Sequence, residues 1–274
     1  MTTARASVVL AYAVCMALLT ASGAGAEEPA FVRYDTAWMK ASLAYPRFGH
    51  AGVDAALARF AAQELARCAQ DMEREFGRPA SVQGKAMKLE GRYTLFRPSS
   101  RVVSVLFELR AASPPWPAPR CYFAARSYRL PMGEELTLAD VFEDLPQALE
   151  VLSRKCPPKL LARILERHTQ EHIEIVWFLR TRLIAPGSPM PDGTDMAEFS
   201  KRGGDAPAMR LLEGVVHGTR AEAEHYKHLL LTSEGIHIQF EPLQLGGPEL
   251  GAPYVDLSLR ELRDAKPRLA LWNK

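Results

Sequence analysis

Two histidines and a glutamate near the middle of the chain have the spacing of a zinc-dependent hydrolase. His168, Glu171 and His172 form the pattern H-x-x-E-H, which is the signature of inverted zinc peptidases. On a helix, the two imidazoles lie one turn apart and can bind Zn²⁺, while the carboxylate acts as general base toward the bound water. The motif therefore predicts a zinc site with His168 and His172 as ligands and Glu171 as the catalytic base.

A structural role also accounts for these histidines. Both lie within an apolar helical stripe, so they equally suit two packed side chains that are held by hydrogen bonds. A catalytic zinc site needs a third protein ligand, and nothing marks out the nearest downstream candidates, Glu222 and Glu224. We therefore expect no metal cofactor and no catalytic residue, and the zinc hydrolase is the alternative.

Other catalytic patterns are missing from the sequence. It contains no G-x-S-x-G, no glycine loop for phosphate and no pair of carboxylates with the spacing of an acid and a base. Asp140 is expected at the start of a helix, where its carboxylate can accept backbone N–H groups. His225 and His228 are expected on a solvated strand edge. None of these residues predicts an active site.

The first 26 residues have the pattern of an export signal. Arg5 precedes an apolar run, and Ala24 and Ala26 form a cleavage site of small residues. The run is too short to span a bilayer comfortably, so we expect cleavage after Ala26, no stable membrane anchor and a periplasmic or secreted protein. Loss of Arg5 leaves 33 basic and 32 acidic side chains in residues 27–274, since the full sequence has 34 and 32. A net charge of +1 gives no electrostatic footprint for nucleic acid.

Three cysteines lie beyond the predicted signal, at Cys68, Cys121 and Cys156. In an oxidising compartment this number suits one disulfide and one free thiol, and three pairings are possible. We predict the pair Cys121–Cys156, because both cysteines are expected at the ends of elements, whereas Cys68 lies on an apolar helical stripe. The sequence has no C-x-x-C, so it predicts neither a redox motif nor a cysteine zinc site.

A long helix is the clearest element of the N-terminal half. Apolar residues recur at steps of three and four through residues 53–76, which places them on one face of a helix. Strands are predicted on both sides of it, at residues 36–45, 92–96, 102–110 and 121–130.

The central segment changes to a helical period. Helices are expected at residues 145–154 and 159–183, separated by Pro157 and Pro158, because proline lacks the backbone donor that a helix interior needs. Asp144 is expected to cap the first of them. Residues 185–207 contain four prolines and four glycines, which predicts a loop.

Three strands are predicted near the C-terminus. In the second strand Ile236 and Ile238 alternate with His237 and Gln239, which predicts a hairpin with one buried face. Gly235 is expected to supply a positive φ in the hairpin turn. The whole pattern predicts a single α+β domain at residues 27–274, with halves at about 27–130 and 131–274. Antiparallel meanders would pack against the long N-terminal helix and the central helical segment.

Three short segments, taken in order, resemble one extracytoplasmic family. They are residues 45–49 (YPRFG), 135–142 (ELTLADVF) and 231–246 (LTSEGIHIQFEPLQLG). Together they are similar to the C-terminal module of RsiV-type lysozyme-sensing anti-sigma factors, which also occurs beside peptidoglycan deacetylase domains. The chain departs from the family at residues 113–119 (SPPWPAP), which replace a Gly-Ala-His turn, and at Leu243, which replaces a tyrosine.

The resemblance implies a binding module without catalysis of its own. Its partner would be a protein such as lysozyme or the glycan of the cell wall, in the periplasm or outside the cell. The cytoplasmic segment and the transmembrane helix of an anti-sigma factor are both missing from the sequence, so a direct signalling role is not expected.

Overall fold

The structure is a computed structural model that describes residues 29–36, 38–76, 87–112, 120–168, 205–241, 244–245 and 252–273. Its helices are α1 (Ala51–Phe76), α2 (Leu138–Val141), α3 (Leu145–His168) and α4 (Asp205–Gly218). Its strands are β1 (Ala30–Asp35), β2 (Met39–Tyr45), β3 (Met87–Ser99), β4 (Val102–Ala112), β5 (Arg120–Arg129), β6 (Glu134–Leu136), β7 (Leu229–Leu231), β8 (Gly235–Gln239) and β9 (Tyr254–Ser258). The predicted α+β class is confirmed. Among the described residues, no helix is long and apolar enough to cross a membrane.

The larger sheet has six strands in the order β1-β2-β3-β4-β5-β6. All its neighbouring strands are antiparallel except β2 and β3, which are parallel. The expectation of purely antiparallel meanders is therefore wrong at this one pair. The long helix α1 lies between β2 and β3 in the chain, and a connection of that length can carry the chain back to the same end of the sheet.

Helix α1 confirms the helix predicted from the apolar stripe at residues 53–76. Its buried face packs on one face of strands β2 to β5 and forms the N-terminal core. Phe60 of α1 meets Phe107 of β4 with 5.3 Å between ring centroids. Asp54, in the first turn, accepts hydrogen bonds from the backbone of Phe48 and Gly49 at 2.7 and 3.1 Å, which fixes the entry into the helix.

Helix α3 continues through Pro157 and Pro158, so the predicted interruption is wrong. A proline in a helix interior costs about 3 kcal/mol, because it removes a backbone hydrogen bond and crowds the preceding turn. Leu152, Cys156 and Leu160 are fully buried in one core on both sides of the prolines. Burial of a large apolar side chain contributes about 1.5–3 kcal/mol, so burial of this helix face offsets the cost.

The three-stranded sheet β7-β8-β9 confirms the predicted meander, and both of its pairs are antiparallel. The expectation of one buried face is wrong, because His237 and Gln239 are only 8% and 5% exposed. Ile236 and Ile238 face the C-terminal core, together with α3. The opposite face packs against the larger sheet, where the ring of His237 stacks on Phe96 of β3.

A glycine is needed at position 235 of β8, but not for the positive φ that was expected. Its φ is not positive, since Gly49 and Gly133 are the positive-φ glycines among the described residues. A Cβ on Gly235 would instead collide with the backbone carbonyl of Leu257 on the neighbouring strand. The glycine is therefore needed for close approach of two backbones.

A small joining cluster connects the two cores. Leu106, Phe123 and Ala125 of the larger sheet pack there against Leu230 of β7. The C-terminal core, built around α3 and the three-stranded sheet, also takes Val102 from β4. The two sheets are thus in direct apolar contact, and neither core is closed off from the other.

The cysteines correct the predicted disulfide. Cys68, Cys121 and Cys156 are all free, so the Cys121–Cys156 bond is not formed in the structure. The prediction places Cys156 in a break between helices, but α3 is continuous there and directs its thiol into the C-terminal core. Cys121 lies at the start of β5, beside the joining cluster. Burial raises the pKa of Cys68 and of Cys156 to about 12, so neither thiol is a ready nucleophile.

Candidate functional site

A half-open groove lies along β5 beyond the point where its pairing with β6 stops. Strand β6 pairs only with Ser127, Tyr128 and Arg129, so the preceding part of β5 has no described strand on that side. The groove has a volume of about 230 Å³. We call it the β5-edge groove, and its lining residues are Ala125, Arg126, Ser127, Glu135, Leu136, Thr137, Leu138, Val141, Tyr226, Lys227 and Leu229.

Arg126 is the most firmly positioned charge in the β5-edge groove. Its Nε lies 2.8 Å from Oε1 of Glu135, and its Nη1 donates to the carbonyl of Ala125 at 2.8 Å. The guanidinium also lies over the ring of Phe60, 4.7 Å from the centroid, a favourable cation–π contact. These contacts hold the group in one place, while its side chain is still 34% exposed.

The segment between α4 and β7 supplies a second cation. Nζ of Lys227 lies 3.2 Å from Glu224 and 3.6 Å from Glu241. The neighbouring Tyr226 is fully buried, its hydroxyl donates to the carbonyl of Thr219 at 2.7 Å, and burial raises its pKa. Lys227 therefore provides charge at the groove, whereas the phenol of Tyr226 is committed to the fold.

The hydroxyl groups of the groove have structural partners. Oγ of Ser127 lies 2.6 Å from Oγ of Ser104, which also accepts the backbone N–H of Leu231 at 3.1 Å. Oγ1 of Thr137 donates to Asp140 at 2.6 Å, and the backbone N–H of Thr137 donates to the same carboxylate at 2.9 Å. These bonds lower the pKa of Asp140. The expected role of Asp140 at a helix start is thus confirmed, and these hydroxyl groups are hydrogen-bonded within the protein.

Two histidine–carboxylate pairs lie in the C-terminal half. Nδ1 of His237 is 2.8 Å from Asp256, and Nε2 of His228 is 3.0 Å from Glu241. The other ring nitrogen of each histidine is buried and has no hydrogen-bond partner in the described structure. His228 is buried, so the expectation that His225 and His228 lie on a solvated strand edge is wrong for His228. The side chain of His225 is also mostly covered, at 16% exposed.

These pairs predict a loss of stability in acid. The hydrogen bond with His237 lowers the pKa of Asp256, and the bond with His228 lowers that of Glu241. A carboxyl whose pKa is lower in the folded state contributes stability above its unfolded pKa, and that stability is lost as the pH falls through the folded pKa. We expect the free energy of unfolding to decrease from about pH 5 downward.

Urea unfolding at a series of pH values measures this effect. Asp256→Asn should flatten the acid part of the profile, because the amide does not titrate. The exposed Asp264→Asn is the control and should leave the slope as it is in the wild type. If Asp256→Asn has the same acid slope as the wild type, the pair does not contribute to the pH dependence.

The candidate catalytic residues are only partly described. His168 is the last described residue of α3, and Glu171 and His172 lie outside the described residues, as do residues 185–204 of the predicted loop and the predicted signal at residues 1–26. The third-ligand candidates have other neighbours, since Glu222 lies 3.9 Å from His225 and Glu224 pairs with Lys227. Within the described ranges, no group of three or more His, Cys, Asp or Glu side chains could hold a metal ion.

Arg126, Glu135 and Lys227 are not predicted as a set by the sequence. Arg126 and Glu135 lie on the consecutive strands β5 and β6, but Lys227 comes from a segment much later in the chain. Each residue alone resembles an ordinary surface charge. Only the segment around Glu135 takes part in the family resemblance. Residues 113–119 and Leu243, where the sequence departs from that family, lie outside the described residues.

Comparisons with known proteins give structural neighbours of one family. No family model and no curated protein sequence matches the chain. A DUF3298 family protein from Pseudomonas aeruginosa PAO1 superposes with a TM-score of 0.44 and 9% identity, over 90% of this chain and 95% of that one. A DUF3298 member from Bacteroides fragilis NCTC 9343 gives 0.43 and 9%, over 88% and 94%.

Proposed function

We propose that this protein is an exported binding module of the bacterial envelope, without catalysis of its own, and that it binds its partner at the β5-edge groove. The partner is a protein such as lysozyme or the glycan of the cell wall. The sequence resemblance to the RsiV-type module supports this class of partner, and the pattern of an export signal supports the compartment.

One observation carries the proposal. The β5-edge groove combines a positioned guanidinium with unused donors, a neighbouring carboxylate and an apolar floor. Its hydroxyls, by contrast, are bonded to other protein groups. Polar groups placed at an apolar concave surface are typical of a ligand site, whereas a covalent mechanism would need an activated nucleophile.

The zinc hydrolase rests on the H-x-x-E-H pattern alone. It requires His168 and His172 to bind zinc and Glu171 to act as base. Metal analysis decides between the two functions: stoichiometric zinc in protein purified without added metal, lost in His172→Ala, would favour the hydrolase.

The binding function is tested with two supports, purified peptidoglycan and immobilised lysozyme. We expect the wild-type protein to be retained on one of them. The double variant Arg126→Gln/Lys227→Gln should be retained at least about tenfold less, because the loss of even one charge-assisted hydrogen bond costs about 1.5–3 kcal/mol. The control is Arg129→Gln. Arg129 lies in the same strand and pairs with Glu134 at 3.2 Å, but it does not line the groove.

Two results would contradict the proposal. In the first, neither support retains the wild-type protein. In the second, the double variant and Arg129→Gln are retained equally well. Circular dichroism of all variants ensures that a loss of binding is not a loss of folding.

A further inference from the structure

The geometry points to a ligand class for the β5-edge groove: we propose that it recognises a group that carries a carboxylate and an ammonium close together, as in the free zwitterionic part of an amino acid or short peptide. The inference rests on the proposed function only in that the groove is a binding site. It adds the chemistry that the ligand must present.

Arg126 provides the site for the carboxylate. A guanidinium has five N–H donors, and two of them are used, at Glu135 and at the carbonyl of Ala125. The remaining three have no partner among the described residues. A planar guanidinium binds a carboxylate through two parallel hydrogen bonds. Because Phe60 and Glu135 already hold Arg126 in place, little side-chain freedom is lost when the ligand binds.

Glu135 provides the site for the ammonium. Its Oε1 contacts Arg126, its Oε2 has no partner in the described part of the chain, and its side chain is 50% exposed. The two charges are therefore neighbours, each with unused hydrogen-bonding capacity. A ligand with a single charge would satisfy one of these groups and meet like charge at the other, whereas a zwitterion satisfies both.

The charge around the groove also disfavours a purely anionic ligand. Lys227 is the second cation of the lining, but Glu224 and Glu241 lie within 3.6 Å of its Nζ. Arg126, with its single carboxylate partner, is thus the cation with the most unused capacity. The groove has no excess of positive charge that would attract a polyanion.

The size of the groove limits the ligand to about one or two residues. Its volume of about 230 Å³ is below the range of roughly 300–1,000 Å³ that is typical of drug-sized ligands. Leu136, Leu138 and Leu229 contribute apolar lining that can take a small side chain. The part of β5 that has no neighbouring strand among the described residues runs along the groove, and an extended peptide can hydrogen-bond to such an edge.

The test uses alanyl-alanine and two capped forms. Acetylation of the dipeptide removes its ammonium, and amidation removes its carboxylate. Amide chemical shifts of the ¹⁵N-labelled wild-type protein give the dissociation constants. We expect the uncapped dipeptide to bind at residues 125–127 and each capped form to bind about tenfold more weakly or worse, because one charge-assisted hydrogen bond is lost in each case. Equal binding of the three forms would overturn the proposal.

Variants separate the two halves of the site. Arg126→Gln should weaken the uncapped dipeptide about tenfold and leave the amidated form unchanged, since that form has no carboxylate. Glu135→Gln should also weaken binding of the uncapped dipeptide, and it should leave the acetylated form unchanged, since that form has no ammonium. The matched controls are Arg129→Gln and Glu134→Gln, which alter the neighbouring ion pair of the same two strands and should leave all three constants unchanged. Equal weakening by Arg126→Gln and Arg129→Gln would also overturn the proposal.

The L,L and D,D dipeptides distinguish two sources of the ligand. Only a released peptide has both charged ends, so preference for the D,D form would indicate a short peptide released from the cell wall, and preference for the L,L form would indicate one released from a protein. The outcome is independent of the proposed function. If peptidoglycan or lysozyme is retained through Arg126 while no dipeptide form is preferred, the ligand class is wrong and the binding function stands. If the dipeptides behave as expected while neither support is retained, the envelope function fails and the ligand class stands.

Discussion

Leu65→Ala should lower the free energy of unfolding by about 2–5 kcal/mol, the usual cost of emptying a buried leucine site. Leu65 lies on the buried face of α1 and is 2% exposed. It belongs to the N-terminal core, which α1 forms with strands β2 to β5. The alanine leaves a cavity there, because the surrounding backbone is fixed by strand pairing and can collapse only in part. Urea unfolding followed by circular dichroism measures the change.

Leu269→Ala is the matched control. It makes the same chemical change at a leucine that is 57% exposed, so we expect an effect within about 0.5 kcal/mol. If Leu65→Ala had an effect as small as that of the control, the apolar stripe of α1 would not be a core face.

Leu152→Ala, in the other half of the molecule, should lower the free energy of unfolding by a similar amount, about 2–5 kcal/mol. Leu152 is fully buried on α3 in the C-terminal core. The joining cluster and Val102 connect this core to the larger sheet. We therefore expect Leu65→Ala and Leu152→Ala each to shift one common unfolding transition.

Two fluorescent side chains report on the two halves. Trp38 packs at the N-terminal core and Trp272 belongs to the C-terminal core. Single-tryptophan versions of the protein should unfold at the same urea concentration in each variant, as a two-state transition requires. A Trp272 signal that is lost earlier than the Trp38 signal in Leu152→Ala would show that the halves unfold as separate units.

The sequence is most informative where one regular pattern determines burial. The stripe of α1 predicts both the helix and its buried face, because a period of 3.6 residues that persists along a helix of 26 residues is specific to an amphipathic helix. The meander of β7, β8 and β9 is predicted equally well from its alternation and its turns.

The incorrect sequence predictions for β8 and α3 have a common physical cause, which is packing against residues that are distant in the chain. Alternation in β8 predicts a solvated face, but the larger sheet covers that face, and the polar side chains have partners there: His237 pairs with Asp256, and Gln239 donates to the carbonyl of Pro253. Pro157 and Pro158 predict a helix break, but burial of α3 on both sides offsets their cost. Neither the contact of β8 with the larger sheet nor the burial of α3 can be inferred from the local sequence pattern.

The β5-edge groove could not be predicted from the sequence for the same reason. Arg126, Glu135 and Lys227 form one site only because β6 is short and the segment after α4 returns to the edge of β5. A charge on a strand carries no signal of which other charge it will meet. The conspicuous H-x-x-E-H pattern lies in a different part of the chain.

Hydrogen exchange of the backbone amides tests the central proposal, binding at the β5-edge groove, most directly. The purified protein is compared alone and with the support that retains it, peptidoglycan or lysozyme. We predict slower exchange on binding in residues 125–127, 135–141 and 226–229, the three segments that line the groove. Slower exchange confined to other parts of the chain, with these three segments unchanged, would contradict it.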